Sequence, residues 1–121
     1  MKFVFDNNFP IYIQLVEQLK KQIISGTIPP GSRLPSVREL AAITKVNPNT
    51  MQKALTHLEE LKLIYTERTN GKFVTDDIKL LNKIKEKYAN ELLKEYFEDM
   101  QSLGFTKEET IKYINSMEEN K

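Results

Sequence analysis

Residues 36–60, SVRELAAITKVNPNTMQKALTHLEE, hold two separate helix starts. Ser36 can cap the first helix, and Glu39 stands three residues further on, which is the capping-box pattern. Asn47 can cap the second helix, with Pro48 at its first position, where a missing N–H costs little. A connection of only two residues would separate the end of the first helix from the second cap. Two helices joined this tightly are typical of a helix-turn-helix.

Apolar spacing predicts which face of each helix is buried. In the shorter first helix, Leu40 and Ile43 are the inward candidates. The apolar face of the following helix consists of Met51, Leu55, Leu58 and Leu61.

The flanking sequence predicts further elements. Between Pro10 and Gly26, apolar residues at three- and four-residue spacing indicate an amphipathic helix. The segment TIPPGSRLP that follows is too rich in proline and glycine for a helix, and it predicts a turn with a short extended piece at Arg33–Leu34. After the two central helices, LIYTERTNGKFVT places two extended segments around Asn70-Gly71, a strong hairpin signal. A hairpin in this position predicts a winged helix-turn-helix.

The remaining residues are helical in pattern. A long amphipathic helix is predicted from Ile78 to Leu103, and Thr106 with Glu109 forms a second capping box that opens a last helix. The predicted fold class is therefore mainly α with a small β-hairpin wing. It consists of a winged helix-turn-helix domain at residues 1–76 and a two-helix tail at residues 77–121.

One amphipathic helix cannot bury its apolar stripe unaided, so the tail is expected to pack with a second subunit and form a homodimer. The predicted dimer interface consists of Leu81, Ile84, Tyr88, Leu92, Tyr96, Met100, Ile111 and Ile114.

Composition restricts the function. Residues 1–76 carry ten Lys or Arg against seven Asp or Glu, and residues 77–121 carry eight against ten, so only the first part favours a polyanion, although chance could produce so small a split. There is no cysteine, and no apolar run approaches the ~18 residues of a membrane span. The N-terminus does not resemble a signal peptide, so a cytoplasmic protein is expected. A single histidine and four scattered glycines support no metal site, cofactor site or enzyme.

The polar face of the second central helix is the first candidate binding surface. Asn49 and Lys53 lie opposite the apolar face and toward the helix N-terminus, the end that usually enters the DNA major groove. An Asn amide can pair with adenine, and a Lys ammonium can reach phosphate or guanine. Thr50 and Gln52 lie on the flanks of this face. The alternative is that Asn47 only caps and the other polar side chains are a solvated face.

Two further groups of cations invite the same question. Arg38 lies in a helix first turn, where the helix dipole disfavours a cation, so either a nucleic acid or a carboxylate such as Glu39 should hold it. The hairpin tip carries Arg68 and Lys72 beside a glycine turn, and it could contact phosphate or the minor groove, or be an ordinary solvated turn.

Residues 26–75 resemble the winged helix-turn-helix domain of GntR-family bacterial transcription regulators. The pieces PPGSRLPSVRELA, NTMQKALTHLE and NGKFV occur in the order and spacing of that family. The short tail is most similar to the YtrA-type subfamily, whose members use a brief helical region for dimerisation. The resemblance implies that Arg38 contacts DNA. It also places Lys62 where the family commonly has glycine, which would alter the turn before the wing.

The resemblance implies recognition-helix contacts at positions 47–50 and 52, and wing-tip contacts at 70 and 71. Together with the residues above, the predicted DNA-binding set is Ser36, Arg38, Asn47, Pro48, Asn49, Thr50, Gln52, Lys53, Arg68, Asn70, Gly71 and Lys72. The expected function is transcription regulation, by a repressor that binds an inverted repeat in double-stranded DNA as a homodimer. The alternative is a protein-interaction module. An unidentified small-molecule effector would sit between domain and tail or at the dimer interface.

Overall fold

A computed structural model describes residues 2–117 of the chain. Its elements are α1 (Ile11–Ile24), α2 (Val37–Thr44), α3 (Pro48–Glu60), β1 (Ile64–Glu67), β2 (Gly71–Val74), α4 (Ile78–Ser102) and α5 (Lys107–Ser116). The predicted fold class, mainly α with a β-hairpin wing and two C-terminal helices, is confirmed. None of the helices described here combines the length and the apolar character needed to cross a membrane.

α3 is the central element of the helix-turn-helix. It packs against α1, α2 and β1. The core around α3 also includes Leu63, which precedes β1, and Val74 of β2. Its almost completely buried side chains are Leu15, Leu19, Ile23, Leu40, Met51, Leu55, Leu58, Leu63, Ile64 and Val74. Because its apolar face is enclosed on three sides, α3 has only its opposite, polar face left for solvent or a ligand.

The predicted helix starts are present. The Ser36 hydroxyl accepts a hydrogen bond from the N–H of Glu39 (3.1 Å), and the Ser36 N–H donates to the Glu39 carboxylate (3.2 Å). The Asn47 side chain accepts from the N–H of Asn49 (2.8 Å), and Pro48 occupies the first turn of α3. Both caps satisfy N–H groups that the helices cannot pair internally.

Two apolar residues predicted to face inward do not. Ile43 is 51% exposed, whereas Ala41 and Thr44 are buried. In a helix of only eight residues, the buried face is set by Leu40 and its neighbours at one and four residues further on, and Ile43 falls outside this arc. Leu61 is 38% exposed because α3 ends before it and Leu61 serves as the C-cap.

The wing is an antiparallel pair in which Ile64 lies opposite Val74 and Glu67 lies opposite Gly71. Residues 68–70 form a three-residue loop, so the turn is one residue longer than the two-residue Asn70-Gly71 turn that the sequence suggested. The predicted extended piece at Arg33–Leu34 is confirmed. It joins the outer side of β2 through a bridge to Phe73 and a hydrogen bond from the Leu34 N–H to the carbonyl of residue 72 (2.8 Å).

An extended N-terminal segment, which no pattern in the sequence predicts, lies along α1. The Gln18 amide accepts from the Val4 N–H (3.0 Å) and donates to the Val4 carbonyl (2.6 Å). Gln14 binds Asp6 in the same way (2.7 and 2.8 Å), and a third glutamine one turn further along α1 continues the series. Two residues of extended chain rise about 6.6 Å and four residues of helix rise about 6 Å, so the two repeats match.

The contacts within the chain divide it into two compact units, one that ends at Asn82 and one that begins at Lys83. The division falls inside α4, and the predicted boundary after residue 76 stays a prediction. In the second unit, the Phe105 N–H donates to the Met100 carbonyl (3.1 Å) and closes α4. Thr106 and Glu109 form the predicted capping box of α5 (3.0 and 3.2 Å).

Lys62 takes the backbone conformation that a glycine would. Its φ is +64°, in the left-handed region, and the Leu63 N–H then donates to the carbonyl of Leu58 (3.0 Å). This is the usual glycine-type helix ending. The turn before the wing therefore keeps that geometry in spite of the lysine, at the cost of steric strain at Cβ.

We expect Lys62→Gly to raise the free energy of unfolding by about 0.5–1 kcal/mol, since relief of strain exceeds the entropy that glycine adds to the unfolded chain. Chemical denaturation measures the change. Lys62→Ala is the matched control, because it removes the same charge but keeps Cβ. Equal effects of the two variants would show that the left-handed conformation is not the cause.

Candidate nucleic-acid interface

Arg38 is an exposed cation in the first turn of α2. Glu39, the neighbouring carboxylate that could have held it, is committed to the capping box. Hydrogen bonds from the backbone and side chain of Ser36, and to a smaller extent the charge of Arg33, hold the pKa of Glu39 below its ordinary value of about 4.5. Within residues 2–117, no carboxylate lies within 4.0 Å of the Arg38 guanidinium. Its charge therefore faces solvent and is available to an anion.

The start of α3 divides its polar residues between two tasks. Asn47 caps the helix through its side chain, and Pro48 fills the first helical position. Asn49 uses its backbone N–H for the cap, so its exposed side-chain amide remains on the outer face. Thr50 is half-buried. The Gln52 amide donates along the helix to the hydroxyl of residue 56 (3.2 Å).

Lys53 makes a contact that sequence reasoning missed. Its ammonium lies 5.5 Å from the centroid of the Tyr12 ring of α1, within the range of a cation–π interaction. The ring fixes the position of this charge beside the outer face of α3. Helical spacing placed Tyr12 on the apolar face of α1, and nothing in the sequence indicates which residue of α3 would cross it.

The wing residues also serve different purposes. The Lys72 ammonium donates to the Thr66 hydroxyl (2.9 Å), which in turn donates to the carboxylate of Glu59 in α3. The Asn70 amide donates to the Glu67 carboxylate across the wing loop (3.0 Å). Lys72 and Asn70 thus help to hold the wing in place, whereas residues 68 and 69 are exposed at its tip.

A groove of about 710 Å³ separates the start of α2 from the wing, and we call it the α2–wing groove. It is lined by residues 33–37, Glu39 and residues 66–72. It brings Ser36, Arg68, Asn70, Gly71 and Lys72 of the predicted set together. It also contains Arg33, which the sequence prediction omitted. The extended piece carrying Arg33 was foreseen, but its pairing with β2 was not.

The geometry therefore gathers exposed amide, hydroxyl and cationic groups on the starts of α2 and α3 and on the wing, all within the first compact unit. Such groups bind phosphates and base edges. In the part of the chain that the structure describes, no group of three or more His, Cys, Asp or Glu residues is arranged to hold a metal ion.

Comparison with known proteins agrees with this arrangement. The family model of bacterial regulatory proteins of the gntR family matches residues 11–74. The uncharacterized HTH-type transcriptional regulator YhcF of Bacillus subtilis is 36% identical over 115 residues, covering 95% of each chain. The HTH-type transcriptional repressor YtrA of the same organism is 44% identical over 70 residues, covering 58% of this chain and 54% of YtrA.

Solved structures show the same similarity. A GntR family transcriptional regulator from Listeria monocytogenes is 38% identical, with a TM-score of 0.86 over 93% of this chain and 98% of its own. The DNA-binding domain of AraR in complex with operator ORX1 is 28% identical, with a TM-score of 0.55 over 62% of this chain and 96% of its own.

The fold and these relatives define a DNA-binding transcription regulator of the winged helix-turn-helix class, a class of non-enzymatic proteins. The chain belongs to the GntR family of bacterial regulators, and it is of the YtrA-like type.

The division of tasks at the start of α3 leads to a stability prediction. Asn47→Ala removes the cap and should lower the free energy of unfolding by about 1 kcal/mol. Asn49→Ala leaves the cap intact and should change it by less than about 0.5 kcal/mol. Urea denaturation of the two variants compares them directly. A larger loss from Asn49→Ala would mean that its side chain supports the fold rather than a ligand.

Proposed function

We propose that this protein represses transcription by binding an inverted-repeat operator as a homodimer. The observation that carries the proposal is the outward-facing start of α3, where the exposed Asn49 amide adjoins a helix cap that needs only Asn47. The exposed Arg38 and the cations of the wing lie in the same compact unit. Each subunit would place α3 in a major groove and the wing near the adjoining minor groove.

Within this interface, base selection and affinity fall to different groups. The Asn49 amide can form two hydrogen bonds with the major-groove edge of an adenine, at N6 and N7, whereas Arg38, Lys53 and Arg68 supply charge for phosphates. Thr50 and Gln52 lie beside Asn49 as further polar contacts. Half-site centres should lie about 34 Å apart or a multiple of it, since both subunits must face the same side of the duplex.

The tail supports the homodimer. Of the predicted interface, Leu81 is buried within its own chain, and Ile84, Tyr88 and Met100 are half-buried. The remaining predicted interface residues are exposed, and they are Leu92, Tyr96, Ile111 and Ile114. Leu103 and Met117, which lie near them in sequence, are also exposed, by 72% and 65%. So many large apolar side chains in the short second unit are typical of an interaction surface.

The repressor role rests on the named function of YtrA, and on the simple steric consequence of a dimer that covers its operator. A regulator of this kind acts on the bacterial chromosome, which places it in the cytoplasm. A small-molecule effector, if one acts, would alter operator affinity by binding one of the two subunit arrangements better than the other.

Selection of bound sequences from random DNA, followed by affinity measurement at several salt concentrations, tests the function. We expect enrichment of an inverted repeat and a steep loss of affinity with salt, through counterion release. Failure to enrich any sequence, with weak salt-insensitive binding, would favour the alternative of a protein-interaction module.

Arg38→Ala and Asn49→Ala should weaken operator binding in different ways. Loss of a charge-assisted contact at Arg38 should lower affinity about ten- to hundredfold on every sequence. Asn49→Ala should cost about 1–3 kcal/mol and relax preference at one base pair. Fluorescence anisotropy on operator and single-base variants measures both. Lys87→Ala is the charge-matched control, since Lys87 is exposed and lies on a different face of α4 from the proposed dimer interface. Uniform loss on all sequences from Asn49→Ala would make Asn49 a phosphate contact.

Leu92→Asp should shift the protein from dimer to monomer in sedimentation experiments, because it places a charge in the proposed apolar interface. Asn90→Asp adds the same charge two residues earlier on the opposite side of α4, and it should leave the dimer intact. A monomeric unmodified protein at micromolar concentration would overturn the dimer model.

A further inference from the structure

The backbone of Arg33, a residue that lines the α2–wing groove, is held against β2. It bridges Phe73, and the hydrogen bonds on either side, from Leu34 N–H to the residue 72 carbonyl (2.8 Å) and from Val74 N–H to the Ser32 carbonyl (2.9 Å), fix the segment to β2. Arg33 therefore starts from a rigid sheet edge and not from a mobile turn.

The Arg33 side chain lies against the wing at Gly71. A Cβ added to Gly71 would stand 3.4 Å from the Arg33 Nε and 3.6 Å from its Nη2, both ordinary van der Waals distances, so the guanidinium lies directly beside the Gly71 backbone. Gly71 also has a φ of +99°, which disfavours other residues at this position. The Arg33 guanidinium therefore lies next to the first residue of β2, on the wing side of the groove.

The charges of the groove favour an anion. Arg33, Arg68 and Lys72 line it together with the carboxylates Glu39 and Glu67. Each carboxylate already accepts a hydrogen bond, Glu39 from the α2 cap and Glu67 from the wing loop. Across residues 2–117, no carboxylate lies within 4.0 Å of the Arg33 guanidinium, although the charge of Glu39 is near enough to interact with it.

The proposed function fixes what must pass through this groove. If α3 enters a major groove and the wing reaches the adjoining minor groove, the one sugar–phosphate strand that separates those two grooves has to cross the protein between them. The α2–wing groove lies between the wing and the start of α2, the helix that the tight turn joins to α3, so a strand that passes between α3 and the wing can continue through it. A guanidinium is also the group whose planar donors best match a phosphodiester.

We propose that the α2–wing groove holds one sugar–phosphate strand of the bound DNA, and that Arg33 binds a phosphodiester of that strand. The inference rests on the proposed function and extends it by one contact that base readout does not require. Arg33 then contributes affinity on all sequences, and it links the recognition helix and the wing through the DNA strand between them.

The test uses the full-length protein and the DNA sequence that it selects. Arg33→Gln should lower affinity about ten- to hundredfold and make the slope of log affinity against log salt less steep by about 0.9, the value for one lost phosphate contact. Arg33→Lys should keep the slope but recover only part of the affinity, since it retains charge without the planar donors. Lys87→Gln is the matched control and should change neither quantity, because Lys87 is exposed and lies on a different face of α4 from the proposed dimer interface.

A scan with neutral methylphosphonate linkages locates the contact. One linkage, next to the base pairs read by α3, should weaken binding of the unmodified protein and have no further effect on Arg33→Gln. Two results would overturn the phosphate contact and leave Arg33 a purely structural role. One is an affinity loss in Arg33→Gln with an unchanged salt slope. The other is that every methylphosphonate linkage weakens Arg33→Gln as much as it weakens the unmodified protein.

These outcomes are separable from failure of the proposed function. If the unmodified protein selects no DNA sequence, the proposed function fails and this contact fails with it. If it selects and binds an operator while Arg33→Gln binds equally well with the same slope, only the groove proposal is wrong.

Discussion

The burial of the apolar face of α3 is the constraint on which the rest of the structure depends. Met51, Leu55 and Leu58 are completely enclosed, and α1, α2 and β1 each supply part of the enclosure. Truncating a buried Leu or Met side chain of this kind typically costs 2–5 kcal/mol. The orientation of α3 is therefore not free: its outer face, with the Asn49 amide, is presented wherever the core places it. The wing follows from the same packing, since β1 begins only four residues after α3 ends and is itself packed on that helix.

Capping and presentation at the start of α3 are compatible because separate residues perform them. Asn47 uses its side chain for the cap, and this leaves the side chain of Asn49 free while only its backbone is engaged. The same division of roles occurs at α2. Ser36 and Glu39 form the two hydrogen bonds of the capping box, and Arg38, which lies between them in the sequence, stays exposed. In both helices, local hydrogen bonds within three residues stabilise the end, so a ligand is not needed to hold it. The polar ends can then be pre-formed before DNA arrives.

Sequence patterns predicted well those features of the fold that depend on interactions between neighbouring residues. Caps, helix faces and the hairpin depend on residues that are close together in the sequence, and nearly all predictions of these features are confirmed. The errors arose where distant parts of the chain decide. Ile43 was placed inward because helical spacing alone cannot say where the arc of an eight-residue helix meets its neighbours. Three other features involve contacts between different elements. These are the Lys53–Tyr12 contact, the position of Arg33 against Gly71, and the packing of the N-terminal segment on Gln14 and Gln18 of α1. The spacing of apolar residues within one element does not indicate which residues of another element they contact.

The low net charge of the chain explains why the proposed mechanism needs a tail that joins two subunits. A net charge of +1 provides little general attraction for DNA, and the few exposed cations of one winged domain can neutralise only a few phosphates. A single domain that neutralises only a few phosphates binds DNA weakly at physiological salt. Joining two domains makes the second half-site contact intramolecular, and this raises the overall affinity far above that of either domain without new contacts to DNA. In the proposed dimer, the apolar side chains exposed on α4 and α5 would join the two domains. The acidic excess of residues 77–121 would be tolerated there, because that part of the chain need not approach the duplex. In the proposed mechanism, the start of α3 would therefore set specificity, and dimerisation would supply the affinity that a single domain lacks.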